Sequence, residues 1–359
     1  MKICVVSYHT SPLTPAGSGK SGGMNILIAN LYKYLAKTCK KSCEVDIFVY
    51  GNKKSCALTD NIRVIFLDQS NARDFAEAII YHHDRSKYDI LHTHYWLSGI
   101  IGMCVRKKIR IPWIHSFHTI ERFKGAIKDK SRVEVENEIS RKCDFIMSPT
   151  AKESFDLRRL YPGVNAITLP HGVDTARFRP SPNGHSTLLF VGRVDPIKGL
   201  DILIDALREI EEKVDLNIIG GPSKGEKNFK NIKAYAQDLK VNFIGQVMHE
   251  QLFKYYQNAG IVIIPSYYES FGLVGLEAMA SARPVIGFHD TGLAETVGSD
   301  AGLLVKRNKI TLAKAIVQLI DNQKLRYQMG TTGRKKAHMF NWQHIANRYL
   351  RTYEEISKK

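Results

Sequence analysis

Short runs of β-branched and other apolar residues alternate with amphipathic stretches along nearly the whole chain. Continuous apolar strands separated by helices indicate parallel sheets that are covered on both faces. Six runs lie in each half: Ile3–Tyr8, Val45–Tyr50, Val64–Leu67, Ile90–His94, Trp113–His118, Phe145–Pro149, Leu188–Gly192, Leu216–Gly220, Val241–Gly245, Ile261–Pro265, Pro284–Phe288 and Leu303–Val305. The pattern predicts an α/β fold.

A stretch rich in proline, glycine and asparagine, residues 171–184, separates the two halves, and the alternation restarts after it. A chain of 359 residues is also too long for one simple core. We therefore expect two Rossmann-like, doubly wound domains, residues 1–170 and 171–337, that face each other across a cleft. Ligands of such sheets bind beyond the carboxyl ends of the strands, so the chemistry is sought there.

Composition narrows the class of protein. With 44% hydrophobic and 24% charged residues, the chain is typical of a soluble globular protein. It contains neither a run of about 18 apolar residues nor the features of a signal peptide, so we expect a cytoplasmic protein. The six cysteines form no C-x-x-C pair, which disfavours a zinc site and predicts reduced thiols.

The formal net charge of +17 has several explanations. Basic residues cluster at 33–41, at 106–110 and along 122–132. Nucleic acid, an anionic membrane face and phosphorylated small molecules would each suit such a field, and a solvated basic surface would explain it equally well. Few aromatic residues accompany the basic runs and no nucleic-acid-binding motif occurs, so nucleic acid is not an expected partner.

The glycine-rich stretch GSGKSGGMN, residues 17–25, resembles a nucleotide phosphate loop only in part. That motif requires glycine at position 14, where the chain has Thr14, and about ten residues separate the stretch from its strand. Gly22 and Gly23 directly precede a helical pattern, and a helix N-terminus favours an anion. A simple strand–helix turn is the alternative.

Charged residues follow two predicted strands in the second half. Arg193 and Lys198 come after Leu188–Gly192 and would clamp a diphosphate. Glu269 follows Ile261–Pro265, and Glu277 lies in a helix that starts near Gly272. These carboxylates are placed to accept hydrogen bonds from the vicinal hydroxyls of a ribose or hexose, although Glu277 would equally compensate the helix dipole.

Two of these segments, GRVDPIKG and ESFGLVGLEAMASARPV, resemble the donor site of retaining glycosyltransferases of family 4, which have the two-domain GT-B fold and use nucleotide-diphosphate sugars. GGMN, HTHYWLSG, HSFHT, HGVDTARFRP and TGLAETV match the same family in order. The ending FNWQHIANRYLRTYEEI resembles the family's C-terminal helix, expected at 338–359 and crossing back onto the first domain. The most similar branches make N-acetylglucosaminyl-inositol phosphate or sucrose phosphate.

The resemblance implies a role for each matching residue. His118 matches the active-site histidine, and Arg193, Lys198 and Glu269 complete the catalytic set. The donor would contact Gly23, Gly192, Arg193, Lys198, Val247, Glu269, Phe271, Gly272, Leu273 and Glu277. The acceptor would contact Asn25, Tyr95, Thr119 and Arg132. The histidines His92, His94 and His115, which alternate along strands, are interpreted as structural.

The resemblance also implies a mechanism without a metal or other cofactor. The acceptor attacks on the face that the leaving group occupies, and fixed positive charge stabilises the departing diphosphate. The branch favours a UDP-sugar and a phosphorylated sugar or polyol, although Arg73 stands near the position where the inositol-phosphate branch has a lysine, and the two are not equivalent. One alternative is a transferase acting on a lipid or glycan at the inner membrane face, and another is a sugar-nucleotide epimerase or a phosphorylase.

Overall fold

A computed structural model describes residues 1–14, 22–39, 42–125, 127–181, 187–221 and 228–358. The chain divides into two compact units. Unit 1 comprises Met1–Thr14, Met24–Pro170 and Trp342–Lys359, and unit 2 is built on His171–Asn341. Lys20 and Ser21, which give the glycine-rich stretch its likeness to a phosphate loop, lie outside the described residues.

Unit 1 is organised around an eight-stranded sheet with the order β3-β4-β2-β1-β5-β6-β7-β8. All strand pairs are parallel except β3 with β4, which is antiparallel. The strands are β1 Lys2–Val6, β2 Glu44–Tyr50, β3 Cys56–Thr59, β4 Ile62–Leu67, β5 Ile90–His94, β6 Trp113–Ser116, β7 Phe145–Ser148 and β8 Ala166–Thr168. Every strand predicted for this half is present.

The sequence pattern did not predict β3 and β8. Both are short edge strands whose residues are exposed or half-buried, so they lack the apolar run by which buried strands are recognised. β3 also makes the sheet mixed, which corrects the expectation of a purely parallel one. Antiparallel edge strands on otherwise parallel sheets are common.

Helices cover both faces of this sheet. They are α1 Gly23–Cys39, α2 Ala72–Ser86, α3 Tyr95–Arg106, α4 Lys130–Lys142, α5 Ala151–Leu160 and a C-terminal helix, Trp342–Ile356, with a 3₁₀ turn at Glu121–Lys124. Asn71, Asp129 and Thr150 each accept a hydrogen bond from the backbone N–H three residues ahead, which explains where α2, α4 and α5 begin. The central strands of the sheet between them are almost fully buried.

Unit 2 contains six strands in the order β11-β10-β9-β12-β13-β14, all paired in parallel. They are β9 Leu188–Val191, β10 Leu216–Ile219, β11 Val241–Gly245, β12 Ile261–Ile264, β13 Val285–Phe288 and β14 Gly302–Val305. All six were predicted. The helices are α6 Leu200–Arg208, α7 Asn228–Tyr235, α8 Leu252–Asn258, α9 Leu273–Ala280, α10 Leu293–Thr296, α11 Lys309–Asp321 and α12 Gln323–Met339, and the C-terminal helix is α13.

The strand order of each sheet fixes where a ligand would bind. Successive strands are added toward opposite edges of the sheet on either side of the β1–β5 pair in unit 1 and of the β9–β12 pair in unit 2. In open α/β sheets such a switch point opens a crevice beyond the carboxyl ends of the two central strands. The segments after β5, β9 and β12 carry Tyr95, Arg193 and Glu269, respectively.

Two expectations need correction. Residues 338–341 belong to unit 2, and α12 runs to Met339, so the helix that packs in unit 1 begins at Trp342 and not at residue 338. Cys39 and Cys43 are joined as a disulfide just after α1, so the expectation of six reduced thiols is wrong for this pair. Among the helices in the described ranges, none is long and apolar enough to cross a membrane.

Candidate active site

The basic loop after β9 is held rigidly in unit 2. Asp195 accepts a hydrogen bond from the Ile197 amide and so caps a 3₁₀ turn, Pro196–Lys198. Gly199 follows with φ 67°, and a Cβ there would lie 1.9 Å from the Pro265 carbonyl oxygen. Only glycine permits this approach of two backbones. The loop that carries Lys198 is therefore fixed against the end of β12.

Lys198 and Glu269, both predicted to contact the donor, form an ion pair. The Lys198 Nζ lies 2.7 Å from Glu269 Oε2, and both side chains are only partly exposed. The Tyr267 amide donates to the Ile197 carbonyl at 2.8 Å and ties the two loops together. Arg193 lies nearby in sequence, with its Nη2 3.5 Å from Asp195 Oδ2. The ion pair orients Lys198 before any ligand arrives.

The turn before α9 also requires glycine. Gly272 has φ 89°, and a Cβ there would lie 2.4 Å from Leu293 Cδ2. The first N–H groups of a helix have no partner within the helix, so the amides around Phe271, Gly272 and Leu273 have the geometry for an anion or a hydroxyl oxygen. Phe271 itself is buried in the core, which leaves its main chain as the contact surface.

Glu277 is buried in α9 and bonded on both carboxylate oxygens. His249 Nε2 lies 2.6 Å from Oε1, and the Tyr256 hydroxyl donates to Oε2 at 2.8 Å. Burial alone would lower the pKa of His249, but the charge and hydrogen bond of Glu277 outweigh it, so that pKa is raised. The simple helix-dipole role does not describe Glu277, because specific partners fix it in place.

His249 and Tyr256 lie outside the motifs of the sequence. Both lie on the segment after β11, where Val247 was expected to contact the donor, and Val247 is half-buried against the core. No characteristic sequence spacing relates Glu277 to His249, which lies in a 3₁₀ turn, or to Tyr256, which lies in the helix that follows that turn. Only the fold brings these three residues together.

Three of the four predicted acceptor residues form one cluster in unit 1. The Arg132 guanidinium donates to the Tyr95 hydroxyl at 3.1 Å, to the Thr119 carbonyl at 2.5 Å and to the Thr119 hydroxyl at 3.0 Å. Asn25 is buried in α1 and donates to the Ser11 carbonyl at 2.9 Å. Arg73 lies exposed in the first turn of α2.

Two buried carboxylates that the sequence analysis missed hold Arg132 from the other side. The Arg132 Nε donates to Glu136 Oε1 at 2.7 Å, and Nη1 lies 3.4 Å from Glu121 Oε2. Lys124 Nζ is 3.0 Å from the same Glu121 oxygen. Burial raises the pKa of Glu136 despite Arg132. Its position four residues after Arg132 was a usable signal for a helical ion pair.

Backbone strain occurs where the predicted chemistry lies. Tyr95 has φ 72° and His118 has φ 61°, values that L-residues with bulky side chains rarely adopt. Such strain persists only when the surrounding structure enforces it, and it is frequent at functional sites. His118 follows β6 and is half-buried, and its Nε2 lies 2.9 Å from His94 Nδ1. His94 was interpreted as structural from the sequence.

Two Rossmann-like units with the predicted ligand-binding residues after their central strands are typical of the GT-B fold of glycosyltransferases. Family models match most of the chain: residues 21–177 match "Glycosyltransferase Family 4", and residues 174–336 match "Glycosyl transferases group 1". The D-inositol 3-phosphate glycosyltransferase of Corynebacterium diphtheriae is 31% identical, with 99% of this chain and 95% of that protein covered. The chain belongs to family 4 of the glycosyltransferases.

Solved structures agree. The chain is similar to sucrose-phosphate synthase from Thermosynechococcus elongatus, with a TM-score of 0.89, 28% identity and 99% of both chains covered. Anabaena HepE, solved in complex with UDP and glucose, has a TM-score of 0.80 at 17% identity, with 99% of this chain and 100% of that chain covered. At that identity the likeness shows the fold alone.

Proposed function

We propose that this enzyme transfers a hexosyl unit, with retention of configuration, from a UDP-sugar to a hydroxyl group of a phosphorylated sugar or polyol. The main support for a phosphorylated acceptor is the cluster in which the buried guanidinium of Arg132 donates hydrogen bonds to Tyr95 and Thr119. Because Arg132 donates to the oxygen atoms of both hydroxyl groups, their protons point away from it and can bind a phosphate beside its positive charge. The relatives named for inositol 3-phosphate and sucrose phosphate support an acceptor of this class.

In the proposed donor site, Arg193 and Lys198 neutralise the diphosphate as it departs. Glu269 and the amides around Gly272 hold the sugar, and Glu277 accepts hydrogen bonds from the ribose. Fixed positive charge stabilises the leaving group without a metal ion, since the donors are already oriented. The departing phosphate takes the proton of the acceptor hydroxyl. The Lys198–Glu269 pair supports this scheme because it orients the ammonium group in advance.

The acceptor is tested with matched pairs of compounds. Thermal-shift measurements with UDP, GDP and ADP identify the base, and the corresponding nucleotide sugars are then incubated with inositol phosphates and hexose phosphates. The unphosphorylated compounds are the controls. We expect UDP to stabilise the protein most and only the phosphorylated acceptors to yield product. Equal transfer to both members of a pair would refute the phosphate-binding role of Arg132.

Lys198→Ala tests the donor site. We expect weaker binding of the nucleotide diphosphate and a severe loss of transfer, since one fixed positive charge is removed. Lys309→Ala is the matched control, because Lys309 forms an exposed pair with Glu209 at 2.8 Å in the same unit. Near-normal transfer by Lys198→Ala would remove this residue from the mechanism.

A second candidate acts on a lipid or glycan at the inner membrane face, as a cytoplasmic enzyme bound peripherally. The net charge of +17 favours it, because anionic lipid attracts basic surfaces. Co-sedimentation with vesicles of phosphatidylserine and phosphatidylcholine tests this. Binding at low salt that is reversed by high salt would support peripheral association, and an absence of binding at low salt would exclude it.

A further inference from the structure

A chain of hydrogen bonds runs through the interior of unit 1 to His118. Its members come from α1, from β5, from β6 with the residues just after it, and from α13. All except His118 are buried, and most are fully enclosed. They are Tyr32, His92, His94, Ser116, His118 and Tyr353.

The distances indicate which way each hydroxyl proton points. Burial raises the pKa of Tyr32 and of Tyr353, so each keeps one proton to donate. The shortest contact of Tyr353 is with His92 Nδ1 at 2.7 Å. Tyr32 is 3.0 Å from His94 Nε2, but 3.3 Å from His92 Nδ1 and 3.4 Å from the Tyr353 hydroxyl. With one proton on each hydroxyl group, the arrangement that uses the shortest contacts has Tyr353 donating to His92 and Tyr32 donating to His94.

The proton positions on the two histidines follow in turn. A neutral imidazole has one protonated and one accepting nitrogen. Because His94 accepts from Tyr32 at Nε2, its own proton lies on Nδ1, which donates to His118 Nε2 at 2.9 Å. His118 Nε2 is then an acceptor, and the proton of His118 lies on Nδ1.

We propose that His94, held by Tyr32, is a positioning residue that fixes His118 as the Nδ1-protonated tautomer. His118 then offers a hydrogen-bond donor at Nδ1 and does not act there as a general base. Such a donor would stabilise negative charge on an oxygen of a bound substrate. The role in transfer rests on the proposed function, whereas the tautomer itself does not.

Tyr32→Phe tests the proposal, because it removes one hydroxyl group and keeps the ring. Tyr349→Phe is the matched control. Tyr349, in α13, is buried like Tyr32, but its hydroxyl group donates to the Leu169 carbonyl at 3.4 Å. The protein is labelled with ¹⁵N-histidine, and long-range ¹H–¹⁵N correlation spectra report which ring nitrogen carries the proton. The His118 signals are assigned from their loss in His118→Gln.

We expect the Nδ1-protonated pattern for His118 in the wild type and in Tyr349→Phe, and a shift toward the Nε2-protonated form in Tyr32→Phe. In Tyr32→Phe, kcat should fall about tenfold, which is the worth of one hydrogen bond, with the KM for the donor little changed. The inference would be overturned if His118 were Nε2-protonated in the wild type, or if its tautomer were the same in Tyr32→Phe as in the wild type. An Nδ1-protonated His118 in a wild-type protein without transferase activity would instead refute the proposed function alone.

Discussion

Replacing Arg132 by methionine should destabilise unit 1 strongly. Methionine has a similar stem but no charge, so Glu121 and Glu136 lose their shared partner while both remain about 95% or more buried. Breaking a buried ion pair on one side costs about 3–5 kcal/mol because a charge is left uncompensated. Lys124 stays within 3.0 Å of Glu121, so most of the cost is expected at Glu136, and we expect the lower end of that range.

Tryptophan fluorescence during urea unfolding measures this effect, because Trp96, Trp113 and Trp342, the three tryptophans of the chain, all belong to unit 1. Lys142→Met is the matched control, because Lys142 pairs with Glu138 on the same helix at an exposed site. Such a pair is worth less than about 1 kcal/mol. If Arg132→Met lowered the free energy of unfolding no more than Lys142→Met does, the argument that Arg132 compensates buried carboxylates would be wrong.

The pH dependence of the stability of Arg132→Met gives a second measurement of how Arg132 compensates the buried charge of Glu136. Burial already raises the pKa of Glu136, and loss of Arg132 should raise it further. The folded state must carry a buried charge that the unfolded state solvates freely, so stability falls as pH rises from the unfolded pKa through the folded pKa. Acidification toward the folded pKa should therefore recover part of the loss. Adding Glu136→Gln should recover it at neutral pH, and failure of both would contradict the mechanism.

Three further predictions concern unit 2. The pKa of His249 is raised in the folded state. Its pairing with Glu277 therefore stabilises the fold fully below the unfolded pKa, and that stability is lost as pH rises through the folded pKa. The difference in melting temperature between wild type and His249→Gln should shrink from pH 6 to pH 9. Tyr256→Phe removes a hydrogen bond to a carboxylate, worth about 1.5–3 kcal/mol, and should weaken UDP binding in calorimetry, whereas unchanged affinity would separate Tyr256 from the donor site. Gly199→Ala should lower the melting temperature and transfer together, because its Cβ would meet the Pro265 carbonyl at 1.9 Å, and a wild-type melting temperature would contradict the rigid-loop argument.

The fold was predictable because burial in parallel sheets shows directly in the sequence. Each of the twelve apolar runs became a strand, while the short edge strands at Cys56–Thr59 and Ala166–Thr168 escaped detection for want of an apolar run. The contact of Lys198 and Glu269 with a donor stays a prediction, but such candidate residues were identifiable from the sequence because a motif carried them. Their supporting partners were not, because a partner such as Tyr256 is set by tertiary packing and not by local spacing.

The difference between His94 and His118 shows why a sequence motif identifies a candidate site residue sooner than the residues that support it. His94 follows the two-residue alternation of a strand, where a buried histidine is ordinarily structural, whereas His118 lies beyond the end of β6 and was identified by a motif. What separates His94 from that ordinary case is one contact at 2.9 Å to His118 and one at 3.0 Å to a tyrosine from α1. A buried polar chain must satisfy every donor and acceptor, so each proton in it constrains the next. In the proposed tautomer, the buried hydrogen bonds of unit 1 set the proton position on His118. Tyr32→Phe deletes one oxygen atom and with it the first of these hydrogen bonds.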